Sequence, residues 1–547
     1  MSMLPKIYRP ICIVILAFMY HLPNAFCQNL VEEQVSYSIP KTIYFTEEKI
    51  WISAEVTQKG KPSSSQVLYA ELLNRENESV HLAKILLEQG EALHFLEIPS
   101  NLPSDHYLLR IYTRISPLLN LENGMKQQLV TIFNPRIPPK VVANRSEQIV
   151  KKGHQKESYT LIQGQFNPKE IIDIPEELKG QKIQELKVSL VNPFLEEERQ
   201  ISSSQLYEGK AEGVLIPELF GHIVAAKVNP NEVDTSKVYF LSVHGIESAL
   251  YSDRPDANGN LFFDIGGLKH WKFLIAQADQ NGDLMNFELQ SPAVKTRFKN
   301  GFTFPQLEIS LADQELLQKL LLSSGVQTYF REKLNQEPVP VVTGFVADYS
   351  YNLDDYTRFE SVETVIKEYV PSVAVRTRSG KKEFRSNNEF GNRFEGNPLM
   401  LVDGMPVFNS DQLAAFNPKS FEKLDVLARV FYLNEQNYEG VISFSSYKSD
   451  VGGFPLPTNA IYSPYQGIQI PVELESEFGQ PQEIRNLQDL RSVLTWKSEA
   501  RGRVDLSEVK IITSDLPGLY QMSIQYQSED GSAQSWESYF EVKAAED

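Results

Sequence analysis

Cysteine is almost missing from this sequence. The 547 residues contain two, Cys12 and Cys27, and both lie near the N-terminus. If the first 27 residues are removed during export, the mature chain has no thiol. It then has no disulfide, no cysteine metal site, no cysteine nucleophile and no internal thioester. Cysteine-based catalysis and covalent trapping of a protease are therefore excluded for such a chain.

The N-terminal segment predicts a secretion signal. Two basic residues precede the apolar run Ile11–Tyr20, which is too short to span a bilayer. Ala25 and Cys27 are small residues at the −3 and −1 positions of a cut after Cys27. The alternative is a lipoprotein in which Cys27 carries the lipid, although the bulky residue directly before it fits that interpretation poorly. We expect residues 1–27 to be a signal peptide. No second apolar run reaches spanning length, so we expect a mature chain without a transmembrane segment.

Histidine is scarce as well, and none lies beyond residue 270. The sequence has no His-Glu-x-x-His helix, no nucleophile elbow and no glycine-rich phosphate loop. We therefore predict a protein that is not an enzyme and has no catalytic residue, no cofactor and no metal. The eight histidines are His21, His81, His94, His106, His154, His222, His244 and His270.

One stretch, "DANGNLFFDIGG", has the look of a calcium loop with Asp256 and Asn258 as ligands. It lacks the glutamate that closes an EF-hand loop. Asn258-Gly259 is also a strong hairpin-turn pair. The pattern favours a hairpin.

Acidic residues outnumber basic ones, with 71 aspartates and glutamates against 53 lysines and arginines. The formal net charge is −18, which repels phosphate backbones and makes nucleic acid an unlikely general partner. Tyrosine (24) and phenylalanine (30) are plentiful, and proline (31) and glycine (29) interrupt the chain often. This composition favours a β-rich protein with many turns.

Changes of periodicity divide the chain. Short alternating strands indicate antiparallel sandwiches, a Pro-containing basic stretch indicates a linker, and a leucine-rich stretch opened by Ser310 and Asp313 indicates a capped helix. That helix is either continuous or broken at Gly325. We predict a mainly β chain with an α/β module, in the following order: signal peptide 1–27, sandwich 28–137, second sandwich 158–304, helical connector 310–335, α/β module 345–455 and C-terminal β-domain 460–547.

The first sandwich carries recognisable motifs. Four segments resemble, in this order, the second macroglobulin domain of bacterial envelope proteins: "IYFTEEKIWISAEV", "VLYAELLN", "IPSNLPSDHYLLRIYTR" and "VTIFNP". Residues 158–304 resemble a macroglobulin-type sandwich with weaker motifs. The chain departs from the family at two turns that usually hold glycine, where it has Glu47 and Ser104–His106.

The α/β module contains a strong hairpin signal, "NPLMLVDGMPVF". A two-residue Asp403-Gly404 loop predicts a type I′ turn, which needs positive φ at both positions. Upstream, Ser361 is a candidate N-cap for a helix that Pro371 ends. We assign Asp403 and Gly404 a structural role as this turn.

The module also resembles a known domain. Over about residues 357–450, four segments resemble the plug of TonB-dependent outer-membrane receptors: "YVPSVAVR", "LMLVDGMPV", "FNPKSFEKLDVL" and "EGVISFSSY". Ser372 stands where that family has glycine. Roughly 97 residues follow, too few for a barrel of about 22 strands. The chain thus resembles envelope proteins that combine macroglobulin-type sandwiches with a plug-like domain lacking the barrel. That resemblance implies a Gram-negative protein, either periplasmic or peripherally attached to the outer membrane.

One basic cluster stands out in the acidic chain, within "RTRSGKKEFR". It is either a solvated hairpin or an electrostatic contact for an acidic partner or a lipid phosphate. The candidate contact residues are Arg376, Arg378, Lys381, Lys382 and Arg385.

Three functions are compatible with these patterns. The first is a non-catalytic exported protein that binds or scaffolds other envelope proteins at the periplasmic side of the outer membrane. The second is a macroglobulin-like protein that interacts with proteases without a thioester. The third is a carbohydrate-acting β-sandwich protein.

Overall fold

A computed structural model describes most of the chain. The described residues are 31–143, 165–196, 198–266, 271–278, 286–331, 334–335, 345–388, 390–434, 436–469, 473–474, 488–499, 504–528 and 531–544. The predicted signal peptide, with Cys12 and Cys27, lies outside them. Within these ranges no helix is both long enough and apolar enough to cross a membrane. The fold is mainly β, built from tandem β-sandwiches and one α/β module.

The first unit, which we call the N-terminal sandwich, has two sheets packed face to face. In one, β3 pairs with β1, β4 and β7; the other has the order β2–β9–β8–β5–β6. Buried Ile50, Ile52, Leu68 and Leu109 are in the core between them. The elements are β1 (Glu33–Ser38), β2 (Ile43–Phe45), β3 (Lys49–Gln58), β4 (Lys61–Pro62), β5 (Val67–Leu73), β6 (Ser79–Leu86), β7 (Glu91–Glu97), β8 (Asp105–Thr113), α1 (Ser116–Leu119), α2 (Leu121–Gly124) and β9 (Met125–Phe133).

One turn of this sandwich departs from its expected chemistry. Glu47 lies between β2 and β3 at a φ of 72°, a left-handed conformation that favours glycine. The turn therefore has the left-handed backbone that glycine would adopt, but Glu47 adopts it at a cost in conformational energy.

The second sheet of the N-terminal sandwich is covered on both sides. Every residue of β5 is buried: Leu68, Ala70 and Leu72 face the sandwich core, while Val67 and Tyr69 pack on residues from 195–207 and 294–304. The N-terminal sandwich is therefore joined to the following unit by a continuous apolar core.

That following unit, which we call the middle unit, lies mainly between residues 203 and 298. Its sheets have the orders β17–β16–β19–β31, where β31 is Ile461–Pro464, β18–β15–β20 and β14–β21. The chain from 140 to 335 forms β10 (Lys140–Val141), β11 (Gln165–Phe166), β12 (Ile171–Ile172), β13 (Lys182–Leu190), α3 (Ser203–Leu206), β14 (Tyr207–Glu212), β15 (Ile223–Lys227), β16 (Tyr239–Gly245), β17 (Ala249–Asp253), β18 (Asn260–Asp264), β19 (Trp271–Ala278), β20 (Glu288–Gln290), β21 (Lys295–Phe298), β22 (Glu308–Ile309), α4 (Gln314–Arg331) and β23 (Leu334–Asn335).

The predicted connecting helix is α4. Ser310 and Asp313 form the expected capping box, with Asp313 accepting hydrogen bonds from the Ser310 backbone N–H at 2.7 Å and from its hydroxyl at 2.8 Å. The helix is continuous through Gly325. Leu320 is buried, whereas Leu321, the next residue of the leucine-rich stretch, is exposed.

The α/β module spans residues 345–454, and we call it the hairpin module. Its sheet has the order β24–β29–β30–β27–β28, with β27 parallel to β30. Val362 and Ile366 of α5 pack in one core with Ile442 and Phe444 of the sheet. Its elements are β24 (Tyr349–Asn352), α5 (Val362–Tyr369), β25 (Val373–Arg378), β26 (Lys381–Ser386), β27 (Leu399–Val402), β28 (Met405–Pro406), α6 (Ser410–Ala415), β29 (Phe421–Leu433) and β30 (Gln436–Ser446).

The C-terminal strands correct the predicted domain boundaries. Residues 460–547 were expected to be a separate β-domain, but β31 extends the middle unit by pairing with β19. β35 and β33 both pair with β13, which gives a five-stranded sheet of order β11–β36–β35–β13–β33. We call the unit around this sheet the split unit, because it joins residues 165–195 to 488–544. The remaining strands are β31 (Ile461–Pro464), β32 (Glu473–Leu474), β33 (Val493–Ser498), β34 (Ile511–Ile512), β35 (Gly518–Gln527) and β36 (Ala533–Val542), and single 3₁₀ turns lie at Glu176–Leu178, Pro230–Glu232, Leu311–Asp313, Leu353–Asp355, Pro418–Ser420, Val451–Gly453 and Leu506–Glu508.

Candidate protein-binding surface

The basic cluster predicted from the sequence forms a two-stranded hairpin, β25–β26. Its turn is Ser379–Gly380, with φ angles of 51° and 81°, as a type I′ turn requires. Arg378 pairs directly with Lys381 across the strands. The turn therefore places two cations side by side at the hairpin tip.

The base of this hairpin is fixed. Val375 and Phe384 are buried in the core of the hairpin module. The backbone N–H of Lys382 donates to the Asp411 carboxylate of α6 at 2.6 Å, and the Ser410 hydroxyl donates to the Lys382 carbonyl. Since Lys382 directly follows the tip residue Lys381, the hairpin is anchored from its buried core-facing residues up to the position next to its tip.

The five predicted cations divide into two groups. Lys382 forms an ion pair with Glu363 of α5 at 2.8 Å, and Arg385 pairs with Glu383 at 3.1 Å. These two are neutralised within the chain. The other three are exposed and have no ion pair with any residue that the structure describes: Arg376, Arg378 and Lys381.

The Asp403–Gly404 turn lies in the interior instead. Its φ angles are 48° and 76°, and β27 and β28 pair on either side of it. The buried Asp403 carboxylate accepts hydrogen bonds from the Ser446 N–H at 2.7 Å, the Ser446 hydroxyl at 2.6 Å and the Val451 N–H at 2.8 Å. Burial raises the pKa of Asp403, and these donors oppose that effect. The turn is a structural element that ties three parts of the hairpin module together.

This turn also docks the hairpin module on the middle unit. A Cβ on Gly404 would come within 3.2 Å of the Ala249 carbonyl carbon in β17. The Gln277 side-chain amide donates to the Pro406 carbonyl at 2.9 Å, and the rings of Phe240 and Phe408 lie 5.7 Å apart. The strands around Asp403–Gly404 are therefore an internal interface, whereas the tip of the basic hairpin is exposed.

A buried polar network was not foreseen from the sequence. Tyr69 donates to Glu218 at 2.9 Å, and Arg114 donates to the same carboxylate at 3.2 Å. His222 approaches Glu218 with Nδ1 at 2.9 Å and the Tyr465 hydroxyl with Nε2 at 2.7 Å. Burial lowers the pKa of His222 to about 4, against the opposing effect of Glu218. The imidazole is consequently neutral at physiological pH.

The geometry of this network is that of a structural joint. Tyr69 belongs to the N-terminal sandwich, His222 precedes β15, and Tyr465 follows β31. Tyr465 stacks on Trp271 with ring centroids 5.1 Å apart and 8° between the planes, which closes the network on that side. Since His222 and Glu218 are almost fully buried, no substrate reaches them in this conformation. The sequence offered no signal, because Tyr69, Arg114 and Tyr465 each lie more than 100 residues from the Glu218–His222 pair.

A second histidine, His244, lies next to two serine hydroxyls, the arrangement in which a histidine can activate a serine nucleophile. Ser242 Oγ lies 2.9 Å from His244 Nε2, and Ser248 Oγ lies 3.4 Å from Nδ1. Both Ser242 and His244 are fully buried, and the imidazole stacks on Phe273 at 4.7 Å. Burial lowers the pKa of His244 to about 4. Ser242 and His244 are thus a packed pair inside a sheet.

The stretch considered as a calcium loop is a turn. Asp256 accepts hydrogen bonds from the backbone N–H groups of Asn258 and Asn260, each at 2.8 Å, so its oxygens are used inside the loop. Gly259 has a φ of 79°. In the part of the chain that the structure describes, no group of three metal-ligating side chains converges.

Comparisons with known proteins give distant neighbours. No family model matches the chain, and no curated protein matches it. Among solved structures, the α2-macroglobulin of Salmonella reacted with methylamine is 8% identical with a TM-score of 0.16, over 93% of this chain and 23% of that one. The native α2-macroglobulin of Escherichia coli is 8% identical with a TM-score of 0.16, over 93% and 22%. A Paenibacillus cycloisomaltooligosaccharide glucanotransferase is 14% identical with a TM-score of 0.15, over 23% and 18%.

This chain therefore spans less than a quarter of the length of these three proteins. TM-scores this low carry no argument about activity, and they leave the plug-like resemblance without support.

Proposed function

We propose that this chain is a non-catalytic, exported envelope protein that binds an acidic partner protein through the tip of the β25–β26 hairpin. The observation that carries the proposal is the exposure of Arg376, Arg378 and Lys381, without ion pairs among the described residues, on a chain with a net charge of −18. An isolated positive site on an acidic protein attracts negative partners and orients them during encounter.

The anchoring of the hairpin supports binding rather than simple solvation. Lys382 and Arg385 are already neutralised by neighbouring carboxylates, and the strand base is buried. A hairpin held in this way loses little conformational freedom when a partner docks, which lowers the cost of association. Arginine is also well suited to bidentate contacts with carboxylates.

The cellular setting of the proposal comes from the sequence. The signal-like segment 1–27 supports export, and the resemblance of residues 357–450 to a receptor plug supports a place on the periplasmic side of the outer membrane. A protease-interacting role without a thioester is the second candidate, favoured by the macroglobulin-like motifs of residues 28–137. Both roles, binding of envelope proteins and interaction with proteases, are compatible with a binding surface on the hairpin module.

A pair of charge reversals tests the proposal. Cells would carry Arg378→Glu/Lys381→Glu, and the matched control would be Lys59→Glu/Lys61→Glu, which reverses two exposed lysines at the β3–β4 turn. That turn, Lys59–Gly60, also has two positive φ angles, 49° and 72°, and the two variants change the net charge equally. In-cell crosslinking followed by mass spectrometry reads out the partner.

We expect the first variant to lose its crosslinked partner at least tenfold and the control to retain it. The partner recovered with the wild-type chain should be acidic, and the association rate of the purified pair should fall with added salt. Equal crosslinking by the two variants would contradict the proposal. Loss of binding to anionic vesicles, without any protein partner, would assign the hairpin to lipid phosphates instead.

A further inference from the structure

A cleft of about 410 Å³ lies between the middle unit and the hairpin module, away from the basic hairpin. Its volume falls within the range of roughly 300–1,000 Å³ that is usual for small-molecule sites, and such sites often form between domains. One wall comes from β17 and β18, and the other comes from the tip of β29–β30. The walls are thus contributed by segments more than 150 residues apart.

The first wall holds a carboxylate in a fixed position. Asp253 Oδ1 accepts the Arg254 backbone N–H at 2.8 Å, and Oδ2 accepts the Phe262 N–H at 2.6 Å. Each carboxylate oxygen has a second lone pair for another donor. Asp264, exposed on the same wall, accepts only the Gly266 N–H at 3.0 Å among the hydrogen bonds that the structure describes. Two acceptors are therefore presented to the cleft by β17 and β18, which belong to different sheets of the middle unit.

The second wall is the end of a long hairpin arm. β29 and β30 continue to pair with each other past the ends of the neighbouring strands β24 and β27, up to the pair Leu433 and Gln436. Asn434, at a φ of 53°, donates from Nδ2 to the Ser252 hydroxyl at 3.0 Å and so joins the arm to the first wall. The cleft is consequently closed at this point by a defined contact, and Gln436 faces it beside that contact.

The lining selects the kind of ligand. It carries two carboxylates and one guanidinium, so phosphate and other anions are disfavoured. Gln436 adds an amide donor and acceptor. Asn434 uses its Nδ2 on Ser252 and therefore adds the Oδ1 acceptor. The Tyr251 hydroxyl donates to the Ile265 carbonyl at 2.9 Å and adds an acceptor oxygen. Half-buried Phe262 adds an aromatic surface. A hydroxyl-rich, uncharged ligand with an apolar face matches this combination.

We propose that the cleft binds a neutral saccharide. The Asp253 and Asp264 carboxylates accept hydrogen bonds from sugar hydroxyls, the amides of Asn434 and Gln436 pair with further hydroxyls, and Phe262 packs against the C–H face of the ring. The site is independent of the basic hairpin, since it shares no residue with it.

A glycan microarray with neutral, amino-bearing and acidic oligosaccharides tests this site on the processed full chain. Maltoheptaose, cellohexaose and mannohexaose are the neutral probes, and calorimetry then measures the Kd of each one that binds. Asp264→Asn keeps an oxygen for the Gly266 N–H, and Gln436→Ala removes an amide on the opposite wall. We expect each variant to weaken neutral-sugar binding at least tenfold. Tyr432→Ala, an exposed aromatic on the same arm outside the lining, should bind as the wild type does.

Each alternative result decides against the site. Absence of neutral glycan binding, undiminished binding by both cleft variants, or binding of acidic glycans alone would overturn it. Binding of a lysine-rich decapeptide that Asp264→Asn abolishes, with no glycan bound, would replace the sugar by a cationic ligand. Arg378→Glu/Lys381→Glu should leave sugar binding unchanged, which separates this test from that of the proposed function.

Discussion

Replacing Gly404 by alanine measures how tightly the hairpin module is docked on the middle unit. Gly404 has a φ of 76°, and a left-handed backbone costs an L-residue about 1–2 kcal/mol. A Cβ there would also lie 3.2 Å from the carbonyl carbon of Ala249 and 3.4 Å from its N and O atoms. Because these are backbone atoms, they cannot rotate away, and overpacking of this kind adds about 1–3 kcal/mol. Gly404→Ala should therefore cost about 2–5 kcal/mol, and the larger, β-branched Gly404→Val should cost more.

Gly380 provides the matched control. It has a φ of 81° in the same type of turn, but no atom lies within 4 Å of the position that a Cβ would take there. Gly380→Ala should thus cost only the backbone strain, about 1–2 kcal/mol. A chain of several units need not unfold in two states, so local opening is measured by native-state amide exchange, of Leu399–Met405 for Gly404 and of Val373–Ser386 for Gly380. Equal losses at the two glycines would show that the Ala249 contact contributes nothing. No loss at Gly404 would refute the turn itself.

Three further predictions concern the units around this interface. Glu47→Gly should stabilise the N-terminal sandwich by up to about 1 kcal/mol, measured by its unfolding midpoint, because glycine relieves the φ of 72°. Arg110→Met should destabilise the chain by about 3–5 kcal/mol in denaturant titration, because it leaves the fully buried Glu71 without its ion pair; Arg110→Met with Glu71→Leu should recover most of that loss. The folded pKa of His222 is about 4, below its unfolded value of about 6.5, so its contribution is complete above pH 6.5 and declines as the pH falls towards 4. The free energy of unfolding of His222→Gln should consequently fall less steeply than that of the wild type across this window, and parallel curves would refute the assignment.

Local sequence patterns were sufficient wherever neighbouring residues decide the structure. The capping box of Ser310 and Asp313, the Ser361 N-cap and the Asp403–Gly404 turn all depend on contacts within a few residues. Each therefore appears where the sequence placed it. The exposure of Leu321 shows the limit of such reasoning, because the side of a helix that meets a core depends on distant segments.

Long-range pairing could not be foreseen from the same patterns. β13 and β35 look like ordinary alternating strands, and nothing in their residues states that they pair across more than 300 positions. A boundary inferred from turns and linkers assumes that neighbours in sequence are neighbours in space, which holds for most but not all consecutive elements. The split unit breaks that assumption, since the middle unit and the hairpin module are inserted between its strands.

The division of the five basic residues was hidden for the same reason. Lys382 is neutralised by Glu363, which precedes it by 19 positions on a different element. A count of charges in "RTRSGKKEFR" cannot separate it from exposed Lys381. Only the packing of α5 against the hairpin distinguishes them.

Buried polar joints give these insertions a fixed geometry. Arg110 of the N-terminal sandwich donates to Glu71 within its own sheet. It also donates, each time at 2.9 Å, to the carbonyl of Val294, which precedes β21, and to the hydroxyl of Thr296 in β21. Displacing that segment would leave a buried guanidinium partly unpaired, at a cost of several kcal/mol. Apolar surfaces alone tolerate sliding far better than such directional contacts do. The Glu218–His222–Tyr465 network imposes the same restriction on the same face of this sheet, through Tyr69. Since the hairpin module is in turn packed on the middle unit through Gly404 and Gln277, the basic hairpin and the interunit cleft are held at set positions relative to the whole chain.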